Sequence, residues 1–204
     1  MEVKLVDITQ DAERKIEKYV RVCYNSEKEI TKNSYKTFLP RIIGMGHYSA
    51  LSFGHATFHI SGVSRAFLAQ VTRHAHLRYL VRSQRYNQEN EINFVMPEVF
   101  NEEDKEFFNN CQIVISEWYS YLNKKYKNED SRMMLSNAHK TELNLNGSFQ
   151  GFFDFLKLRL GKHAQLEIRK VAQEIYKILN EKCPHIFNQT NLLIQPKLNL
   201  DFGE

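Results

Sequence analysis

The fold is decided by one stretch of the chain, ATFHISGVSRAFLAQVTRHAHLRYLVRSQRY (residues 56–86). Its first part, ATFHISG (56–62), alternates apolar and polar residues, which predicts a β-strand. Gly62 interrupts the alternation, and residues 63–81 then follow a spacing that predicts one helix. The last part, residues 73–86, holds four arginines and two histidines in fourteen residues, with no acidic residue among them. The stretch therefore predicts a strand followed by a helix with a local concentration of positive charge.

Within the predicted helix, four residues recur at i, i+3, i+4 and i+7 and share one face: Gln70, Arg73, His74 and Leu77. A second face carries Val63, Phe67 and Val71, and we expect it to be buried. A planar guanidinium gives a phosphate two parallel charge-assisted hydrogen bonds. Ser83 and Arg85 follow near the predicted helix end, where they can converge on the same anion.

Two alternatives to a phosphate site remain open for this basic stretch. One is a solvated helix face with surface salt bridges, which is common among charged helices. The other is a nucleic-acid-binding stripe, which requires a large patch of one sign and usually a basic domain. The formal net charge of the 204 residues is only +4, so the positive charge is local. This balance favours a small anionic partner over long nucleic acid.

Length and composition indicate one soluble domain over residues 1–204. Hydrophobic residues make up 42% and charged residues 25%, which is ordinary for a globular protein with a core. The three cysteines, Cys23, Cys111 and Cys183, are widely spaced and form no CxxC pair, which favours a reducing cytoplasm. We find no signal-peptide pattern and no run approaching the roughly 18 apolar residues of a membrane span.

The remaining pattern predicts short strands separated by amphipathic helices. Strands are expected at 3–8, 91–97 and 140–148, and helices at 11–23, 34–45, 101–127, 149–160 and 164–182. Residues 44–55 are expected to form a loop, and residues 131–137 a turn or short helix. This order predicts an α+β fold in which helices pack on a small, mostly antiparallel sheet, as a single domain.

Arg159 is a further candidate for chemistry, because it interrupts an apolar run between Leu158 and Leu160. Its guanidinium either reaches out to solvent or is held partly buried with an anionic partner. Arg132 is a weaker candidate. His55 and His59 share a strand face, but no third ligand is spaced to complete a metal site, so no metal is expected. The sequence contains no Gly-rich phosphate loop.

Several segments together resemble the flavin-dependent thymidylate synthases. Arg73-His74, followed at the same distance by Ser83 in SQRY, is similar to the family signature RHR-x7-S. Other similar segments lie in the same order as in the family: VRVCYNS (20–26), GHYS (46–49), FHISGVSRAFLAQVTRH (58–74), EDSRMML (129–135) and FLKLRLGKHAQLEIR (155–169). The resemblance covers most of the chain.

The resemblance implies a homotetramer that binds FAD and dUMP at subunit interfaces. It implies methylation of dUMP to dTMP with 5,10-methylenetetrahydrofolate as carbon donor, reduced FAD as hydride donor and NADPH as reductant. The positions implied for dUMP are Gln70, Arg73, Ser83, Arg85, Arg132 and Arg159. Those implied for FAD are His47, Ser49, Arg73 and His74. Arg159 is the catalytic residue implied, since it matches the arginine that stabilises negative charge on the uracil ring.

The departures from the family pattern lie mostly on the flavin side. Ala75 stands where the signature has its third residue, an arginine. The family's Asn-x-Arg element reads Ser148-Phe149-Gln150, and a later polar position reads Asp154. Either Arg78 or Arg82 compensates for Ala75, or flavin binding is altered. The second hypothesis is therefore a divergent paralogue that modifies or binds another pyrimidine nucleotide.

Overall fold

The computed structural model describes residues 1–87, 89, 93–193 and 201–203. Among these residues four strands form one sheet: β1 (Glu2–Ile8), β2 (His55–Ser64), β3 (Leu77–Val81) and β4 (Lys140–Ser148). The helices are α1 (Ala12–Cys23), α2 (Tyr35–Gly44), α3 (Arg65–Val71), α4 (Glu102–Asn123), α5 (Asn128–Ser131), α6 (Phe149–Arg159), α7 (Leu166–Lys182) and α8 (Gln189–Leu192). Short 3-10 turns cover Glu27–Glu29, Tyr48–Phe53 and Arg132–Met134.

The sheet is antiparallel with strand order β1-β2-β4-β3, which confirms the predicted α+β class. By its internal contacts the chain divides into two compact units. Unit 1 comprises Met1–Glu2, Ile60–Arg73 and Tyr79–Asn144, and unit 2 comprises Val3–His59, His74–Arg78 and Leu145–Glu204. The strands pass from one unit into the other along the chain. The prediction of a single domain over residues 1–204 stays a prediction.

Each of the two central strands runs directly into a helix that begins at a serine. Ser64 ends β2, and its Oγ accepts a hydrogen bond from the backbone N–H of Phe67 at 3.0 Å. Ser148 ends β4, and its Oγ accepts from the N–H of Gly151 at 3.2 Å. Each hydroxyl satisfies an N–H that the first turn of a helix leaves unpaired. Both caps thus fix where α3 and α6 begin.

The core of unit 2 is built on α6 and α7. Helix α7 buries a full apolar stripe, as its spacing predicts: Ile168, Val171, Ala172, Ile175 and Leu179. In α6, Phe152 packs edge-on against Phe58 with ring centroids 5.3 Å apart, and Phe149 meets Phe187 in the same way at 5.2 Å. Aromatic burial of this kind dominates core energetics and anchors α6 in the core of unit 2.

In unit 1, α4 starts at Asn101, whose side-chain oxygen accepts from the N–H of Asp104 at 2.8 Å. Its inner face buries Gln112 and Tyr119. Five apolar positions predict this helix. Phe107, Val114 and Trp118 are exposed, whereas Ile115 and Leu122 are half-buried. The helix itself is therefore confirmed, although those three residues do not contribute to the core of unit 1.

The prediction of one helix over residues 63–81 is wrong. Helix α3 ends at Val71, a turn follows, and residues Leu77–Val81 form the edge strand β3 beside β4. Leu77 is buried in a space that Gly147 leaves open, because a Cβ on Gly147 would lie 2.3 Å from the Leu77 side chain. Pairing with a distant strand therefore overrides the local helical spacing.

Most other predicted elements are confirmed within two or three residues: β1, α1, α2, α6, α7 and β4. The predicted loop over 44–55 contains the 3-10 turn Tyr48–Phe53. The predicted strand over 91–97 lies partly outside the described residues, and its Phe94 forms an isolated antiparallel bridge with His139.

Candidate functional site

The residues proposed for the site fall into two groups, one in each unit. Unit 1 contains Gln70, Arg73, Ser83, Arg85 and Arg132, and unit 2 contains His47, Ser49, His74 and Arg159. The helix face predicted to join Gln70, Arg73, His74 and Leu77 does not exist, because α3 ends before three of them.

In unit 1, Arg85 and Arg132 both contact one acidic residue, Glu129, and Ser83 is hydrogen-bonded to the backbone of Arg85. The Nε of Arg85 lies 2.5 Å from the Glu129 carboxylate, and the Nε of Arg132 donates to the Glu129 backbone carbonyl at 3.2 Å. The Ser83 hydroxyl oxygen accepts from the backbone N–H of Arg85 at 3.2 Å. Both guanidiniums are exposed. Two guanidiniums and a hydroxyl held on short loops form a suitable arrangement for a small dianion.

Gln70 and Arg73 lie at the end of α3. The Gln70 side chain is half-buried, and its Nε2 lies 3.4 Å from the carbonyl of Ala66, one turn earlier. Arg73 lies two residues beyond the helix and is exposed. The turn after α3 is tied to β3 by the Tyr79 hydroxyl, which donates to the Val71 carbonyl at 2.7 Å. Arg73 is therefore available to a ligand from solvent.

A buried polar cluster of unit 1, not foreseen from the sequence, supports the start of the Ser83 loop. Arg82 lies 3.7 Å from the Glu89 carboxylate and 3.5 Å from that of Glu142, and its carbonyl accepts from Arg65 at 3.3 Å. The buried His139 ring lies 3.6 Å from Glu89. The strand alternation of β4 could have placed His139 inward, but its partner Glu89 lies fifty residues earlier and has no local signal.

Burial dominates the electrostatics of this cluster. It lowers the pKa of His139, although the Glu89 carboxylate opposes the shift, and it also lowers the pKa of Arg65. Several buried polar atoms have no hydrogen-bond partner among the described residues: Arg65 Nε, Gln84 Nε2, Thr141 Oγ1 and both ring nitrogens of His139. The acidic residues Glu89, Glu129 and Glu142 interleave with the arginines, so this surface is not the single-sign patch of a nucleic-acid stripe.

In unit 2, the structure brings Arg159 and His74 together. The Nε of Arg159 donates to Nε2 of His74 at 2.9 Å, and the His74 ring packs edge-on against Phe155 at 5.0 Å between centroids. Arg159 is half-buried at the last position of α6. An arginine only donates, so the accepting Nε2 carries no proton. Arg159 is therefore partly buried with the neutral His74 ring as a partner, and the anionic partner of that alternative stays a prediction.

His47 and Ser49 flank Tyr48 at the start of a 3-10 turn, and both are exposed. The Nε2 of His47 lies 3.4 Å from the hydroxyl of Tyr24. The Lys157 ammonium lies 4.8 Å from the centre of the Tyr48 ring. These groups give unit 2 a partly exposed aromatic and cationic surface at α6.

The position of the missing signature arginine is covered by Arg78. Its Nη1 donates to the carbonyl of Ala75 at 2.7 Å and to that of Leu77 at 3.1 Å. Arg78 is exposed, whereas Arg82 is engaged by two carboxylates in unit 1. Of the two arginines that could compensate for Ala75, Arg78 is the one that lies at that position.

The other departures from the signature have local roles in α6. The Ser148 hydroxyl caps the helix, and the Gln150 side-chain oxygen accepts from the Ser52 hydroxyl at 2.6 Å. Partial burial raises the pKa of Asp154, which His76 and Lys157 oppose. Gln150 keeps its amide N–H groups as donors, while Asp154 adds a negative charge.

Neither a metal centre nor a membrane span is found in the part of the chain that the structure describes. There, no three His, Cys, Asp or Glu side chains are placed to hold a metal ion. No helix in the same ranges is both long and apolar enough to cross a bilayer.

Comparison with known proteins gives consistent matches. The family model described as thymidylate synthase complementing protein matches residues 4–185. A flavin-dependent thymidylate synthase of Pyrococcus furiosus is 37% identical over 164 residues, which are 76% of this chain and 66% of that protein. One of Mycolicibacterium gilvum is 27% identical over 188 residues, which are 82% of this chain and 75% of that protein.

A solved structure shows the same fold. The crystal structure of thymidylate synthase X from Helicobacter pylori with FAD and dUMP superposes with a TM-score of 0.78 at 22% identity. The superposition covers 94% of this chain and 99% of that one. On the extent of the family match, the chain belongs to the thymidylate synthase complementing protein family, among relatives that are flavin-dependent thymidylate synthases.

Proposed function

We propose that this protein methylates dUMP to dTMP, with FAD as cofactor, 5,10-methylenetetrahydrofolate as carbon donor and NADPH as reductant. The observation that carries the proposal is the 2.9 Å hydrogen bond between Arg159 and His74. It joins the signature motif to the C-terminal block that the family shares. A half-buried cation held in this way suits a reaction that develops negative charge on a pyrimidine ring.

The unit 1 group supplies the recognition of the nucleotide. Arg85 and Arg132 already share Glu129 as a partner, and a phosphate dianion carries more charge than that carboxylate. The phosphate of the nucleotide therefore replaces Glu129 as the partner of the two guanidiniums, and the Ser83 hydroxyl donates a further hydrogen bond to it. Gln70 and Arg73, at the end of α3, are assigned to the rest of the nucleotide.

Arg159 supplies the catalytic positive charge. Its hydrogen bond to His74 uses Nε and so fixes the plane of the guanidinium. Packing of His74 on Phe155 holds the histidine ring in turn. Because the cation is positioned before the reaction, little reorganisation is needed when charge develops on the uracil ring.

The unit 2 surface fits a flavin dinucleotide, which needs donors for its diphosphate and polar groups for its ring. Arg78 provides a guanidinium at the position of Ala75, and Gln150 offers its amide N–H groups. We assign FAD to these two residues together with His47, Ser49, Arg73 and His74. When bound and reduced, FAD supplies the hydride of the reaction.

Assembly and location complete the proposal. The active form is a homotetramer with its sites at subunit interfaces, which accounts for site residues that lie in two separate groups of the chain. A cytoplasmic location is supported by the three cysteines, which are all free thiols.

The decisive experiment is an absorption spectrum of the purified protein after addition of FAD and then dUMP, followed by tritium release from labelled dUMP. We expect a flavin spectrum that NADPH bleaches, and tritium release that requires methylenetetrahydrofolate. Arg159→Gln is the matched control and should keep the spectrum while its tritium release slows by about 10²–10³-fold. A protein that takes up no FAD under these conditions contradicts the proposal.

A second candidate is a divergent paralogue that acts on another pyrimidine nucleotide. It is favoured by Asp154, which places a carboxyl on the flavin side of α6, and by Ser148, whose hydroxyl is used as a helix cap. Activity or binding assays with dUMP, dCMP and UMP distinguish the two candidates. Binding of dUMP without its methylation supports the second.

A further inference from the structure

The Ser83 loop (residues 83–87) is a compact turn that carries Ser83 and Arg85. The backbone N–H of Asn87 donates to the Ser83 carbonyl at 3.2 Å, and the Asn87 side-chain Nδ2 donates to the same oxygen at 2.8 Å. The Ser83 hydroxyl oxygen accepts from the N–H of Arg85 within the turn. Because local bonds of this kind fix the turn internally, the direction in which it presents Ser83 and Arg85 depends on the residues on either side of it.

Two residues on either side of the Ser83 loop, Arg82 and Glu89, form an ion pair. The Nη2 of Arg82 lies 3.7 Å from the Glu89 carboxylate. The Arg82 backbone N–H donates to the Glu142 carbonyl at 3.0 Å, and the Glu89 backbone N–H donates to the hydroxyl of the buried Tyr119 at 3.2 Å. The Glu89 side chain is only 8% exposed, so solvent screens its charge weakly. The ion pair therefore ties the chain before the loop to the chain after it.

The buried ring of His139 faces the other oxygen of the same carboxylate. Its Nε2 lies 3.6 Å from Oε1 of Glu89, whereas Arg82 approaches Oε2. Neither ring nitrogen has a hydrogen-bond partner among the described residues, and a buried polar group in this state is costly unless it has a role. Of the charged groups around the ring, Glu89 favours its protonation, while Arg65 and Arg82 oppose it. A protonated His139 therefore attracts Glu89 and repels Arg82.

We propose that Glu89 is a positioning residue for nucleotide binding, which holds Arg82, and with it the Ser83 loop, in the orientation that receives the phosphate. Protonation of His139 opposes this role, because it brings a further cation to the same carboxylate. No contact with the nucleotide is assigned to Glu89, Arg82 or His139, since all three act through the loop. The inference rests on the proposed function, and it adds that acid weakens dUMP binding through the protein itself.

Calorimetric titration with dUMP at pH 8, together with steady-state kinetics, tests the role of Glu89. Glu89→Gln keeps the size of the side chain and the backbone hydrogen bond to Tyr119, and Arg82 retains Glu142 as a partner. We expect dUMP to bind about tenfold more weakly, while kcat at saturating dUMP stays within about twofold of the wild-type value. The matched control Glu142→Gln removes the other carboxylate beside Arg82 and should bind dUMP as the wild type does. A loss confined to kcat overturns the proposal.

A double-mutant cycle tests whether the effect depends on the ion pair. Arg82→Ala should weaken dUMP binding as much as Glu89→Gln, and the two changes together should cost no more than either alone. Arg82→Lys keeps a cation at this half-exposed position and should retain most of the affinity. Losses that add fully in the double variant mean that the two residues act separately, and this result overturns the proposal.

The pH dependence of dUMP binding tests the part played by His139. The ratio of the Kd of Glu89→Gln to that of the wild type cancels the titration of the phosphate, because both proteins bind the same ligand. Burial lowers the pKa of His139 from 6.5, so this ratio should hold above pH 7 and fall toward one between pH 6.5 and pH 5. With His139→Asn in both proteins the ratio should stay constant. A constant ratio in the presence of His139 overturns its competition for Glu89.

The wild-type titration distinguishes failure of this inference from failure of the proposed function. Absence of dUMP binding by the wild type overturns both together. Binding by the wild type with equal affinity in Glu89→Gln overturns the positioning role of Glu89 alone.

Discussion

Arg159 and His74 lie 85 residues apart in the chain and are joined by a hydrogen bond of 2.9 Å from Nε to Nε2. The contact places an arginine of the last turn of α6 on a histidine of the signature motif. It also fixes the protonation state of the accepting nitrogen, since the guanidinium can only donate. In the proposed reaction the histidine thereby positions the cation, in addition to its assigned contact with FAD.

Replacement of either partner should lower turnover more than substrate binding. We expect Arg159→Gln to reduce kcat by about 10²–10³-fold, the usual cost of a lost preorganised charge. His74→Phe keeps the packing on Phe155 but removes the acceptor, so a smaller loss in kcat is expected, while the KM for dUMP changes little. Steady-state kinetics of both variants give the measurement. Equal losses in kcat and in dUMP affinity for His74→Phe would argue for direct contact with the nucleotide.

Arg78 should contribute to the affinity for FAD and not to the affinity for dUMP. Arg78→Ala removes the guanidinium beside Ala75, and we expect FAD affinity to fall about tenfold or more, the cost of one charge-assisted hydrogen bond. Fluorescence titration of FAD provides the measurement. Adding Ala75→Arg to this variant should restore the affinity, because it returns a guanidinium to the same place. Arg82→Ala is the control, and its FAD affinity should stay at the wild-type value.

Arg85 and Arg132 should determine dUMP affinity. Each alanine variant is expected to weaken dUMP binding by about tenfold to a hundredfold, because each loses charge-assisted hydrogen bonds to the phosphate. Glu129→Gln should instead raise the affinity for dUMP, since it removes the carboxylate that competes for Arg85. Calorimetric titration with dUMP compares the three. Weaker binding by Glu129→Gln would mean that Glu129 positions the arginines rather than competing for them.

The buried His139 should make stability dependent on pH. Its pKa is lowered from 6.5 in the folded chain because burial disfavours the charged ring, so the unfolded chain binds more protons at acidic pH. The free energy of unfolding should therefore fall as pH drops below about 6.5, by at most about 1.4 kcal/mol per pH unit from this group. Urea unfolding between pH 5 and pH 8 measures the slope. His139→Asn should flatten it, and an unchanged slope would assign the effect to other groups.

The three thiols should differ in reactivity. Burial raises the pKa of Cys183 to about 12, with Glu13 adding to the shift, so it has almost no thiolate at neutral pH. Cys23 is exposed and Cys111 is partly exposed. Labelling of the native protein with a maleimide should modify Cys23 rapidly and leave Cys183 intact until the chain is denatured. Mass spectrometry of digests locates the label, and early modification of Cys183 would contradict its burial.

Local sequence patterns were sufficient for most elements of the fold. The helices α1 and α7 and the strand β4 can each be predicted from the spacing of apolar residues within the element itself. Burial of one face of a helix or strand imposes that spacing. The same reasoning failed over 63–81, where β3 replaces the second half of a predicted helix. There the residues form a strand because they pair with β4 and because Leu77 fits beside Gly147. Gly147 lies seventy residues after Leu77, so no local pattern indicates this pairing.

For the candidate site, the sequence by itself determined which residues carry charge and hydrogen-bonding groups, and the signature spacing already marked Arg73, His74 and Ser83. Only the tertiary structure decided which of them meet. It joined Arg159 to His74, brought Arg78 to Ala75 and linked Arg85 to Glu129. It also buried His139 beside Glu89. The physical reason is that periodicity reports the burial of a residue's own element, whereas a polar contact depends on the positions of two elements that the chain brings together only on folding.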